Sequence, residues 1–301
     1  MLQLNTDTTR VNKNISTPFL MPSPDLENVC ELTAENTAEV LAFLSERPVH
    51  TVVMSSFIAD NGLVSDLNRG KFYAYRNSCG QLEGVALIGH STLVEARSTG
   101  ALVALAHTAR NSETPIHLIM SGDDDAAAFW KYLGSGQSEP RLTCKEALFE
   151  VSFPFAVQRS EWQVENATMQ NLLQVAEAQA EVAFMESGVD PMAKDREGFL
   201  KRVARRIEQN RVFVVMDGEK LVFKADIIAE AGGVVYLEGI YVAPDYRGKS
   251  VGPKCLASLT LELLDRAEHI CMLSNVDFTS AHRSFERAGY RQTGQCTTLF
   301  V

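Results

Sequence analysis

The 301-residue chain is short of tryptophan (two) and histidine (six), and its six cysteines include no C-x-x-C pair. Cys30, Cys79, Cys144, Cys255, Cys271 and Cys296 are scattered, a spacing that excludes a disulfide framework and a cysteine zinc site. Reduced, mostly buried thiols are expected, with no metal. No apolar run approaches the length that spans a bilayer, so no membrane partner is expected. The stretch MLQLNTDTTRVNKNISTPFL lacks the apolar core of a signal peptide, and the expected location is cytoplasmic. Basic residues are also in deficit. Lys and Arg number 28 against 38 Asp and Glu, a net charge of −10. Nucleic acid, which wants a basic face, is therefore not an expected partner, and the balance favours a cationic one such as an amine.

What is present is an ordinary globular composition, 46% hydrophobic and 22% charged, long enough for two domains of about 150 residues each. Residues 1–30, rich in Thr, Asn and Pro, read as an extended arm. A helix is predicted over Thr33–Phe43 with Thr33 as N-cap, then a hairpin of Phe72–Tyr75 and Gly84–Gly89 turning at Asn77–Gly80. Ala101–Ala109 reads as a helix. A short strand follows Pro115, and Asp123 to Asp125 cap the next helix.

The second half repeats the plan. Helices are predicted near Met169–Phe184 and from Asp195, which places Phe199, Val203 and Ile207 on one face and Asn210 at the C-terminus. Arg211–Met216 and Leu221–Ile228 form a hairpin around Asp217-Gly218. After a central strand come a helix from Pro253, a strand over Ile270–Asn275 and a helix over Ser280–Arg287. This self-similarity predicts a duplication, with lobes at 31–153 and 154–301.

The chain is organised around Val234–Gly252, VVYLEGIYVAPDYRGKSVG. Val234–Val242 is β-branched and aromatic, long enough for a buried strand, and Ala243-Pro244-Asp245 stops it. Arg247-Gly248-Lys249-Ser250-Val251-Gly252 follows, and Pro253 suits the first turn of the next helix. Strand, small-residue loop and helix start make an anion site, because loop N–H groups and the helix N-terminus converge.

These residues resemble the acyl-CoA pyrophosphate loop of the GNAT (N-acetyltransferase) superfamily, Gln/Arg-x-x-Gly-x-Gly/Ala after a strand ending in Val-x-Pro. Arg247 and Gly252 match, and Ser250 stands where the middle glycine is usual. The resemblance implies an α/β (mixed α+β) fold of two tandem lobes, each a mostly antiparallel sheet flanked by helices. The first half has no such loop, so only the second is expected to bind CoA well. A tandem pair with one degenerate lobe is known within the superfamily.

The resemblance further implies transfer of an acetyl group from acetyl-CoA by direct attack of an amine, which needs a base, an oxyanion donor and an acid. Ile240, Tyr241, Val242, Arg247, Gly248, Lys249, Ser250, Val251 and Gly252 are the implied cofactor contacts, with Asn275, Phe278, Ala281 and Phe285 from the following strand and helix. Glu238 is the candidate base, since alternation places it among Tyr236, Ile240 and Val242. Phe278 and Phe285 occupy the family's usual asparagine and tyrosine positions, so Tyr241, His282 and Ser284 are the candidate acids, or the thiolate leaves unassisted. Glu186, Asp190 and Asp226 are candidate contacts for an amine. The acceptor is a small-molecule or peptide amine, and a homo-oligomer is compatible with the sequence.

Two other readings compete. Gly248-Lys249-Ser250 ends like a nucleotide-binding P-loop, but Ala243 replaces its first glycine and Pro244 removes a cradle N–H. An acyl-CoA-binding or interaction module without turnover is suggested by Phe278 and Phe285.

Overall fold

The computed structural model describes residues 25–122, 124–134, 139–153 and 160–301. Most of the expected arm, Asp123 and the start of the expected second lobe lie outside these residues. At the described end of the expected arm, Val29–Glu31 (β1) is a strand paired with the sheet.

The first half continues with helices Thr37–Leu44 (α1) and Pro48–Asn61 (α2) and strands Gly70–Arg76 (β2), Leu82–Gly89 (β3) and Ser91–Ala96 (β4). Thr99–Arg110 (α3), Leu118–Gly122 (β5), Asp125–Leu133 (α4) and Leu142–Val151 (β6) complete it. The second half runs Glu165–Asn166 (β7), Leu172–Ser187 (α5), Pro191–Glu208 (α6), Val212–Asp217 (β8), Lys220–Ala231 (β9) and Val234–Val242 (β10). It ends with Val251–Leu263 (α7), His269–Asn275 (β11), Thr279–Arg287 (α8) and Arg291–Phe300 (β12). No helix among the described residues is long and apolar enough to cross a membrane.

Local signals set most boundaries. Thr33 and Asn36 form a capping box ahead of α1, and Thr168 and Asn171 form the same box, with nearly the same Thr dihedrals, ahead of α5. α6 begins earlier than predicted: Asp190 is its N-cap, accepting from the Met192 and Ala193 N–H groups, and Pro191 fills N1. Asp195 caps a second start within it, at a kink where its carboxylate accepts from Gly198 N–H. Asn210 ends it in the left-handed region (φ 54°).

The strands form one twelve-stranded, mostly antiparallel sheet, ordered β1-β2-β3-β4-β5-β12-β6-β11-β10-β9-β8-β7. Among the described residues only β4/β5 and β10/β11 pair in parallel. In two self-contained lobes β6 would lie beside β5 and β12 beside β11. Instead the two last strands change places: β6 pairs with β11, β12 pairs with β5, and they pair with each other along the middle. The linear division near residue 153 is therefore crossed by the sheet, and each lobe is completed by a strand of the other. α2 extends the interlock, where Arg211 grips Asp60 with two hydrogen bonds of 3.0 and 2.9 Å.

Candidate active site

β10 and β11 pair only from Val234/His269 to Leu237/Met272, after which β10 runs on without β11. A register shift between Glu238 and Tyr241 marks a β-bulge against β9, with Gly239 at φ +59°. The bulge breaks the expected alternation, so Ile240 and Tyr241 both line the cleft that opens there. That cleft, about 600 Å³, has the size of a small-molecule site.

Most of the predicted contacts converge on it. Glu238, Ile240, Tyr241, Val242, Arg247, Gly248, Ser250, Val251, Gly252, Phe278, Ala281, Ser284 and Phe285 all line the cleft. Lys249, Asn275 and His282 do not. Lys249 lies near the Tyr246 ring. Asn275 is turned to local work, accepting from Asp277 N–H, and its carbonyl accepts from His282 Nε2 at 3.0 Å. His282 also packs on the Phe149 ring.

The loop end fits an anion. Gly248 and Ser250 both take left-handed conformations (φ +75° and +61°), the second without a glycine's freedom. The N–H groups of Gly248, Lys249, Ser250, Val251 and Gly252 find no hydrogen-bond acceptor among the described residues. A run of free donors at a helix N-terminus is what a pyrophosphate requires. A Cβ at Gly252 would lie 2.9 Å from Val242 Cγ2, so the strand and loop meet closely there. Formal charge is less available than expected. The Arg247 guanidinium donates to the Val242 carbonyl and pairs with Glu181 at 3.0 Å, and Arg287 donates to Ser250 Oγ at 2.7 Å.

The other end is acidic. Glu238 accepts from the Tyr236 hydroxyl at 2.6 Å. Burial, then the Glu238 charge, raises the Tyr236 hydroxyl well above its ordinary pKa, so it stays a donor. Glu186 of α5 lines the same end. Protein crowding, then Glu238 and Glu146, push its carboxyl up to about 7, although its solvent-exposed edge lets water moderate that push. Glu146 of β6, half-buried, is also pushed up to about 7, first by burial, and accepts from Thr298 Oγ1 at 2.6 Å. It did not figure in the sequence reading, because it reaches this end only through the exchanged strands.

Other candidates are placed elsewhere. Asp190 is spent as a helix cap, and Asp226 is buried beside Lys224. Tyr241 donates to Glu181 at 3.1 Å. Ser284 lines the cleft and donates to the Ser280 carbonyl.

Among the described residues the corresponding wedge of the first lobe holds a cavity of only about 40 Å³. β4 passes into α3 with two residues between them, and Ser98 caps the helix by accepting from Ala101 N–H. Glu95, just past the last β4/β5 pair, is buried between Arg47 and Arg97. A Cβ on Gly122 would meet His50 at 3.2 Å and Arg47 at 3.3 Å, so α2 fills the wedge.

A splayed parallel strand pair, a bulge and a donor-rich loop before a helix together build the cleft of the C-terminal lobe. Residues 208–292, within the C-terminal lobe, match the family model described as the acetyltransferase (GNAT) domain. A solved Drosophila protein superposes with a TM-score of 0.67 at 12% identity, covering 91% of this chain and 98% of its own. A tandem GNAT protein from the clavulanic acid biosynthesis pathway gives 0.52 at 10% identity, covering 91% and 97%. A GNAT-family acetyltransferase from Colwellia psychrerythraea gives 0.51 at 11% identity, covering 90% and 98%. These likenesses are likenesses of fold. No curated protein matches the chain.

Proposed function

We propose that the protein transfers an acetyl group from acetyl-CoA to a primary amine, a small molecule or a peptide, in the cleft of the C-terminal lobe. The observation that carries this is one cleft lined at one end by Gly248, Ser250, Val251 and Gly252, whose backbone N–H groups are free, and at the other by Glu238. The loop from Gly248 to Gly252 would hold the pyrophosphate of acetyl-CoA, and the gap between β10 and β11 would admit its arm. The amine nitrogen attacks the thioester carbonyl carbon, Glu238 receives the proton it loses, the C–S bond breaks and CoA leaves as thiolate. Ile240 N–H is the donor offered to the thioester oxygen. Phe285 supplies no proton, so the thiolate leaves ionised or takes one from Ser284 or water. A thiol's ordinary pKa of about 8.5 makes that inexpensive. Two exposed cysteines, Cys30 and Cys79, fit a reducing cytoplasmic setting.

Calorimetric titration of acetyl-CoA into the wild type and the Arg247→Glu and Gly252→Trp variants tests the cofactor half. Micromolar binding by the wild type and its loss in Gly252→Trp is expected; no binding to the folded wild type overturns the reading. Thiol release across a panel of primary amines tests the transfer half. Binding without release would favour the module that Phe278 and Phe285 suggest.

A further inference from the structure

The bulge is braced by a charge that the scheme above leaves unused. Lys224 on β9 is fully buried in an otherwise largely apolar strand. Its Nζ donates to Gln179 Oε1 on α5 at 2.5 Å and to the Gly239 carbonyl at 3.2 Å. It also stands 2.8 Å from Asp226 Oδ1, an ion pair angled off hydrogen-bond geometry. Arg206 reaches the other Asp226 oxygen at 3.5 Å. A buried pair of this kind is often no more stabilising than apolar residues of the same volume, so stability alone does not account for it.

Gly239 is fitted to the contact. Besides its left-handed backbone, a Cβ there would come within 2.6 Å of Gln179 Oε1 and 2.8 Å of Lys224 Nζ. Only glycine admits the ammonium this close. The Gly239–Ile240 peptide is planar, so fixing the Gly239 oxygen also fixes the Ile240 N–H, which points the opposite way. In sheet order β10 lies between β9 and β11, and Lys224 approaches from β9. Here β10 has parted from β11, and Gly239 and Ile240 line the cleft beside Glu238.

We propose that Lys224 is a positioning residue for acyl transfer: by holding the Gly239 carbonyl it sets the Ile240 N–H toward the thioester oxygen, without touching substrate. This rests on the acyl-transfer reading. Preorganised donors of this type act only when they are already aimed before charge develops, so loosening the peptide lowers turnover more than binding.

The test uses the full chain labelled with ¹⁵N-isoleucine, with the Ile240 amide assigned by its loss in Ile240→Val. Acetyl-CoA is expected to shift this amide in the wild type. In Lys224→Met the shift is lost and amine-dependent thiol release falls at least tenfold, while the Kd for acetyl-CoA stays within about threefold. Asp226→Asn separates positioning from stability. It removes the counter-charge but leaves the lysine N–H donors for Gln179 and Gly239, so Tm falls while the amide shift persists. If Lys224→Met fails to fold, the neutral Lys224→Met/Asp226→Asn pair makes the same comparison. A Lys224→Met protein, or that pair, that keeps the shift and the rate overturns the proposal. So does parallel loss of shift and Tm in Lys224→Met and Asp226→Asn alike. Absence of acetyl-CoA binding by the wild type overturns the acyl-transfer reading itself, and the proposal with it.

Discussion

Glu146→Gln puts the electrostatics of the seam to a direct test. Glu146 reaches the acidic end of the cleft from the exchanged β6, where burial and the charge of Glu238 lift its carboxyl from 4.5 to about 7. In the unfolded chain the group ionises near the lower value. Between the two, the native state holds a proton that the unfolded state has released. The slope of stability against pH follows the difference in bound protons, so stability falls as pH rises through this window and levels off above it. At about 1.4 kcal/mol per pH unit the ceiling is about 3 kcal/mol. Glutamine keeps an acceptor for Thr298 Oγ1 and never ionises. Allowing for solvent and relaxation at a half-buried group, Glu146→Gln should match the wild type at about pH 4.5 and exceed it by about 1–2 kcal/mol at about pH 8. Urea unfolding at the two pH values measures it. Some slope should survive in the variant, because Glu186 is pushed in the same direction. Equal stabilities at both pH values, or a weaker variant at the higher one, would refute the argument.

Glu238→Gln should lower amine-dependent thiol release by about 10²- to 10⁴-fold, the usual worth of a positioned base, while calorimetry finds acetyl-CoA affinity nearly unchanged. Ser250→Val places a β-branched residue at φ +61° and should cost about 2 kcal/mol in urea unfolding, whereas Ser250→Gly, which loses the Arg287 bond but relieves the backbone, should stay within about 1 kcal/mol of wild type. A fragment of residues 154–301 lacks β6 between β11 and β12. It should not fold alone by circular dichroism, and co-expression with residues 1–153 should give a 1:1 complex on size exclusion; a cooperatively folding fragment would contradict the exchange.

What was legible in the sequence was local. Val234–Gly252 announced strand, loop and helix start because each boundary has its own chemistry, and most of the predicted contacts line one cleft. The duplication was visible as pattern, and the Thr-x-x-Asn boxes at Thr33 and Thr168 were a further signal that was there to be read. What escaped depends on distant pairing. α2 is built partly from Val, Thr and Ser, which favour helix weakly, and its packing across the seam overrides that preference. His282 was placed beside the chemistry by chain position, yet its ring is drawn away by the Asn275 carbonyl and Phe149. Lys224 read as one residue of a hairpin. Its hint was Asp226 two places on, the same face of an otherwise largely apolar strand, which is how a buried pair is written.

The exchange also explains how a lobe without a cofactor loop can be indispensable. In the first lobe the wedge between β4 and β5 is filled by Arg47 and His50 of the α2 region, and Glu95 is neutralised between two arginines. Yet the same α2 ties Asp60 to Arg211 and Ser56 to the Glu230 backbone, and β6 carries Glu146 to the acidic end of the second lobe's cleft. With β11 bounded by β6 on one side and released by β10 on the other, the cleft's far wall is held by a strand from the first half. Substitutions in β6 that leave acetyl-CoA contacts untouched should therefore alter use of the amine while sparing cofactor affinity. An acetyl-CoA affinity that falls in step with amine turnover across Glu146 variants would show the two lobes to be joined mechanically and not through the acceptor site.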